Sequence, residues 1–130
     1  GGADRALALA ASLAAVNPEA HVDVVYVVPI PLLDETQMAN FKDILDMMIS
    51  DGEDLLAEAE QKMGEDVAAR TDSLLLTGTN PATEIVKLIG QRDYDLLIVG
   101  NRGLSGLKEY MGSVSHKLLH ASPIPVLIAK

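Results

Sequence analysis

The sequence predicts an α/β fold, an open parallel sheet with helices on both faces, and three observations predict it. Helix-forming and strand-forming segments alternate along the 130 residues. The strand segments are apolar on both faces, as strands buried in a parallel sheet are, rather than alternating apolar and polar. Hydrophobic residues make up 48% of the chain, enough to core one compact domain of this length.

Each element can be argued in turn. Residues 3–16 (ADRALALAASLAAV) are nearly all strong helix formers and stop at Asn17-Pro18. Residues 21–28 (HVDVVYVV) are rich in β-branched side chains and end at Pro29, which reads as a strand. From Met38 to Met63 the apolar positions Met38, Phe41, Leu45, Met48, Leu55, Ala59 and Met63 follow helical spacing, with Asp51-Gly52 as the place where it would divide in two. The other face of this segment is acidic and reads as a solvated surface. Ser73–Thr77 is a short apolar strand, followed by the turn residues Gly78-Thr79-Asn80. Pro81 suits the first turn of a helix that runs through Ile85, Leu88 and Ile89 toward Gln91. Asp95–Val99 (DLLIV) is a fully apolar strand ending at Gly100. Ser113 caps a short helix through about Leu119, Ser122-Pro123 breaks it, and Pro125–Ala129 is a last strand.

Composition excludes several functions. The chain has no cysteine, which removes disulfides, thiolate metal sites and thiol nucleophiles. Its aromatic residues are Phe41, Tyr26, Tyr94 and Tyr110, too few for a base-stacking platform, and a net charge of −9 opposes a nucleic-acid partner. No apolar run reaches the roughly 18 residues that span a bilayer, and no signal-peptide pattern opens the chain, so a soluble cytoplasmic domain is expected. The charge is also uneven. Residues 34–66 hold eleven acidic residues against Lys42 and Lys62, which accounts for the entire net charge. From Gly100 onward, Arg102, Lys108, Lys117 and Lys130 face Glu109 alone. A small anion is therefore admissible at that end.

One constellation carries chemistry. Residues 95–116 (DLLIVGNRGLSGLKEYMGSVSH) run from a buried strand through Gly100, Gly103 and Gly106 to Gly112-Ser113 at a helix start. Glycines let the backbone approach a ligand with no Cβ in the way, and a helix N-terminus presents unpaired N–H groups to phosphate. Ser113 and Ser115 add hydroxyls, and Arg102 and Lys108 add charge. Ligands of open α/β sheets sit at the carboxyl ends of the strands, where this turn lies. It is not a Walker A loop, because no Gly-Lys-Ser/Thr follows at the required spacing, and its first interval is wrong for the dinucleotide fingerprint.

These residues resemble the universal stress protein family, and the resemblance covers nearly the whole chain. It rests on the Ala-rich first helix, the strand ending VVYVVP, GTNPATEI opening a helix, and the long segment from Asp95 to Lys130. Nucleotide-binding members carry G-x2-G-x9-G-[S/T] at this place. The resemblance implies that Gly100, Gly103, Gly112 and Ser113 contact phosphate and ribose, that Val114 and Ser115 follow with backbone or hydroxyl bonds, and that Val27 lines an adenine pocket; Arg102 joins the expected binding residues through its charge. It implies ATP as ligand, with Mg2+ or Mn2+ held mainly through the phosphates, a role in stress adaptation, and a homodimer formed through strand 125–129. It also implies a five-stranded sheet of order 3-2-1-4-5 over a single domain, residues 1–130. Two departures stand out. Eight residues separate Gly103 from Gly112 where the family has nine, and the chain opens just after the place of the family's first, central strand. The expectation is that this strand precedes Gly1, and that strands 21–28 and 95–99 do not pair with each other.

Other candidates are weaker. His116 and His120 share a helix face at metal-ligand spacing but lack a third ligand, and read as surface histidines. His21 begins a strand with no partner evident in the sequence. Ser113, His116 and Asp95 could be written as a triad, but no nucleophile elbow precedes either serine of that helix start. Asp34, Glu35, Asp43 and Asp46 match no EF-hand spacing. Met38, Met47, Met48 and Met63 fall at core or interface positions. The leading function is a small ATP-binding protein with no dedicated catalytic machinery and at most slow hydrolysis. The alternative is a dimeric interaction module of the same fold that binds no nucleotide. An adenylating or pyrophosphatase domain is third, since the signature that such chemistry uses after the first strand is not present.

Overall fold

The computed structural model describes residues 2–100 and 112–130. The first helix, α1 (Gly2–Ala15), ends at the predicted Asn17-Pro18, and a residue distant in sequence completes its C-terminus. The half-buried Arg70 guanidinium donates to the carbonyls of Ala14 (3.0 Å), Asn17 (3.0 Å) and Ala20 (2.7 Å). It thereby adds a charged donor to one carbonyl in the last turn of α1 and to two in the turn that follows, with a positive charge at the favourable end of the helix dipole; the Ala14 and Asn17 carbonyls also accept the N–H groups of Asn17 and Ala20.

Strand β1 (Val22–Pro29) pairs in parallel with β2 (Thr71–Gly78), in register from Val22 opposite Thr71 to Pro29 opposite Gly78. Between them runs α2 (Glu35–Lys62), a single 28-residue helix. Asp34 and Gln37 close its start reciprocally. The Gln37 N–H donates to Asp34 Oδ1 at 2.7 Å, and the Asp34 N–H donates to Gln37 Oε1 at 3.0 Å. The expected break at Asp51-Gly52 does not occur. Gly52 is buried where α2 presses on the sheet, and a Cβ there would lie 2.9 Å from Leu75 Cδ1 and from Tyr26 Cδ1. The glycine serves close approach rather than a turn.

A short helix that the sequence did not suggest, α3 (Glu65–Ala68), follows Gly64, whose φ of +86° favours glycine. The helix α4 (Pro81–Gln91) starts as predicted, with Pro81 in its first turn and the Asn80 side chain accepting from the Thr83 N–H. Strand β3 (Leu97–Gly100) pairs in parallel with β4 (Val126–Ala129), and α5 (Ser113–Ala121) lies between them in sequence. Pro125 precedes β4 and uses only its carbonyl, which accepts from the Leu97 N–H at 3.0 Å.

The helices form two groups. α1 touches α2 and α3, while α4 packs with α5. α2 and α4 both cover β1 and β2, α1 covers β3 and β4, and α5 meets β4. The buried centre under α1 joins Ala14, Met63 and Val67, with Leu7, Ala10, Ala11, Ala20 and Val22 packed around them.

The α/β class and the parallel pairing match the prediction, but the five-stranded sheet does not. The described strands form two separate two-stranded sheets, β1 with β2 and β3 with β4. β1 and β3 do not pair, as expected, and among the described residues no strand joins them. The family order needs such a bridging strand to become one sheet.

Candidate functional site

The predicted turn begins where β3 ends. Gly100 is the last residue of β3, and Gly112 is the N-cap of α5. The Ser115 hydroxyl, buried in the first turn of α5, donates to the Gly100 carbonyl at 2.6 Å. This bond pins the start of α5 to the carboxyl end of β3 across fifteen residues of sequence. Arg102 and Gly103 lie outside the described residues.

The start of α5 differs from the prediction in one respect. Ser113 is the first helical residue and not the cap, because Gly112 already takes the extended conformation of an N-cap (φ −60°, ψ 151°). That φ suits any residue, so what glycine contributes here is the missing Cβ. Among the described residues no side chain caps the helix. The helical ladder begins with the His116 N–H donating to the Gly112 carbonyl, which leaves the N–H groups of Ser113, Val114 and Ser115 without a hydrogen-bond partner among the described residues. By contrast, α2 and α4 fill the same positions with Asp34 and Asn80. Ser113 and Val114 are exposed, so an anion can reach these donors.

Beside this helix start opens a cavity of about 1150 Å³ between the two sheets. Val24, Val25 and Tyr26 of β1 line it, with Leu97–Gly100 of β3, Val114, Ser115 and Leu118 of α5, and apolar side chains of α1 and α2. Its walls are mostly apolar, and the uncapped end of α5 stands at its border. Val27, the expected adenine contact, does not line this cavity; it lies on β1 beside the buried Val28.

A feature the sequence reading missed sits at the end of β2. The Glu84 side chain lies over Gly78 so closely that a Cβ on Gly78 would come within 2.4 Å of its Cγ. The carboxylate meets Lys87 Nζ at 3.6 Å. The pattern Gly-Thr-Asn-Pro had shown only a turn and a helix start.

His21 does have partners. Its Nε2 lies 2.9 Å from Asp72 Oδ2 and 3.3 Å from Asp23 Oδ1, and Asp23 and Asp72 face each other in the β1–β2 register. Asp23 also accepts from the Tyr94 hydroxyl at 2.5 Å and from Arg92 at 3.2 Å. Burial first, and then this bond to Asp23, holds the Tyr94 hydroxyl above the ordinary tyrosine range, with Arg92 acting in the opposite direction. The network ties the start of both strands to the segment after α4. The three ligand atoms of His21, Asp23 and Asp72 lie within 4.8 Å of one another, but the imidazole and Arg92 already answer the two carboxylates. His116 and His120 meet edge to face with centroids 4.7 Å apart, and no third ligand joins them among the described residues. Among the described residues no helix is long and apolar enough to cross a membrane.

Comparison with known proteins follows the same lines. A model described as the universal stress protein family matches residues 1–130. The universal stress protein YxiE of Bacillus subtilis is 40% identical over 81 residues, covering 62% of this chain and 53% of YxiE. The chain spans about half to two thirds of the length of the first curated relatives it matches. Among solved structures, the universal stress protein UspA from Lactobacillus plantarum superposes with a TM-score of 0.81 at 18% identity, over 96% of this chain and 87% of that one. The universal stress protein from Archaeoglobus fulgidus, solved in complex with dAMP, gives 0.70 at 22% identity over 99% and 88%.

Proposed function

The chain belongs to the universal stress protein family, and on that premise we propose that it binds an adenine nucleotide, ATP first, with the phosphates at the turn between β3 and α5. The observation that carries this reading is the uncapped start of α5. Free N–H groups on the exposed Ser113 and Val114, a residue without a Cβ at the cap and the Ser115 hydroxyl pinned to Gly100 make a cradle suited to a phosphate's oxygens. The dAMP bound by the Archaeoglobus fulgidus relative supports the adenine class.

In this reading Gly100 and Gly112 allow close approach, Ser113 donates its hydroxyl, and Val114 and Ser115 donate backbone N–H groups. Arg102 and Gly103 complete the cradle from the loop, and Val27 borders the base. Mg2+ or Mn2+ would come with the triphosphate, held mainly by phosphate oxygens, since no carboxylate of this turn is assigned to it. The protein acts in stress adaptation in the cytoplasm, as a homodimer through strand 125–129, with no dedicated catalytic group and at most slow hydrolysis.

One observation favours a second reading, a dimeric interaction module that binds no nucleotide. The spacing from Gly103 to Gly112 is one residue shorter than in the family's nucleotide-binding members. Calorimetric titration with ATP and Mg2+ separates the two, comparing the wild type with Gly112→Val. The nucleotide reading expects binding by the wild type and at least a tenfold loss in the variant. Equal affinity in both would remove the cradle, and no heat in either would favour the interaction module.

A further inference from the structure

The charge of this chain is concentrated on one helix, and the structure shows what that charge surrounds. The core face of α2 is complete without Ile44 and Met47. Gly52, Leu56 and Ala59 are buried there, and Met38, Phe41, Leu45, Met48 and Ile49 are half-buried around them. Ile44 is 52% exposed and Met47 66%, and Leu55, two to three turns on, is 49% exposed where it also borders the inter-sheet cavity. Ile44, Met47, Asp51 and Leu55 are spaced three, four and four apart, so they form one ridge of about 16 Å along the helix. An amphipathic helix with its apolar stripe already satisfied has no need of a second apolar ridge.

The ridge runs through unpaired negative charge. Asp43, Asp46, Asp51 and Asp54 are all exposed, and none makes an ion pair among the described residues, while Glu58 faces Lys62 one turn on. Asp43 with Asp46, Asp51 with Asp54, and Asp54 with Glu58 are like-charge neighbours at three or four residues. Like charges at this spacing repel across the helix surface and weaken it. A partner that covers the ridge and brings positive charge would relieve this repulsion and bury the apolar side chains in one step.

We propose that this face of α2 docks a basic amphipathic helix of a partner protein. Leucine-type side chains of the partner would sit against Ile44, Met47 and Leu55, with lysine or arginine reaching the flanking carboxylates. Met47 suits such a surface because its unbranched thioether repacks against varied shapes. The charge excludes the other occupants. Nucleic acid and anionic lipid would be repelled, and a second copy of the same face would set carboxylate against carboxylate. Small cations would answer the charge and leave the apolar ridge wet.

The test is fluorescence anisotropy of the full chain with a labelled synthetic 18-residue helix carrying leucines at three- and four-residue spacing on one face and lysines and arginines on the other. Saturable one-to-one binding is expected, weakened by salt and reduced at least tenfold by the double substitution Ile44→Ser, Met47→Ser. Both side chains are more than half exposed, so the variant should keep the wild-type circular dichroism and urea midpoint. No binding would overturn the proposal. So would equal binding of a peptide with the same composition and scrambled leucines, which reports charge alone, or equal binding by the double variant. If light scattering found a wild-type dimer that this variant turns into a monomer, the occupant would be a second copy and the proposal would fail.

Discussion

Gly52 gives the sharpest test of how α2 meets the sheet. In a helix interior, replacing glycine by alanine gains about 1 kcal/mol of intrinsic propensity. At Gly52 the new Cβ would stand 2.9 Å from Leu75 Cδ1 and Tyr26 Cδ1 and 3.0 Å from Tyr26 Cε1, where comfortable contact begins near 3.5 Å. Leu75 can swing its terminal methyl aside, but the Tyr26 ring is rigid and anchored on β1. Either the ring or the helix must retreat by about half an ångström, and overpacking of this kind costs about 1–3 kcal/mol. The two effects oppose each other, and the steric one should win, leaving Gly52→Ala about 1 kcal/mol less stable. Gly90 in α4 supplies the matched control, since a Cβ there meets nothing within 4 Å. Gly90→Ala should therefore keep most of the propensity gain, about 0.5–1 kcal/mol. Urea unfolding reads the difference directly, as midpoints that move in opposite directions from the wild type with unchanged slope. If Gly52→Ala raises the midpoint as much as Gly90→Ala, the close approach of α2 to the sheet is not what keeps glycine at that position.

Two further outcomes follow from the polar contacts. Arg70→Met should lower stability by about 2–3 kcal/mol, because three carbonyls in the last turn of α1 and the turn after it lose a charged donor, and Arg70→Lys should recover only part of it; urea midpoints of the three proteins decide this. Tyr94 is held above the ordinary tyrosine range, so the folded state favours the neutral phenol. Its contribution is complete below the ordinary tyrosine range, near pH 10, and is lost as pH rises through the higher folded value. The stability of the wild type should thus fall more steeply from about pH 10 upward than that of Tyr94→Phe, and parallel curves would show that the phenol does not report on the fold.

How much of this molecule could be read from its sequence depended on the range of the interaction. Pro81 and Asn17-Pro18 act on their own neighbours, and the elements they bound begin and end where expected. Apolar strands between helices were enough for the parallel α/β class. The end of β3 at Gly100 and the start of α5 at Gly112-Ser113 were also visible, because glycine and a helix start are local signals. Gly52 misled for the same reason: as a local signal it suggests a break, whereas it lies inside an unbroken helix where Tyr26 and Leu75 leave no room for a Cβ.

Contacts between distant residues were decided by the tertiary structure alone. Arg70 closes α1 from 50 residues or more away, and His21 finds Asp72 across a register that pairing of strands sets. The five-stranded sheet that the resemblance implied is not formed by the described strands, which pair two by two, whereas the expectation that strands 21–28 and 95–99 do not pair with each other holds. Tertiary packing likewise decided the outer face of α2. Sequence periodicity marked its acidic face as solvated surface, whereas the exposed ridge of Ile44 and Met47 within it emerged only when the helix was seated on β1 and β2. Local propensity is written into neighbouring residues, but which face of an element is left over depends on everything that packs against it.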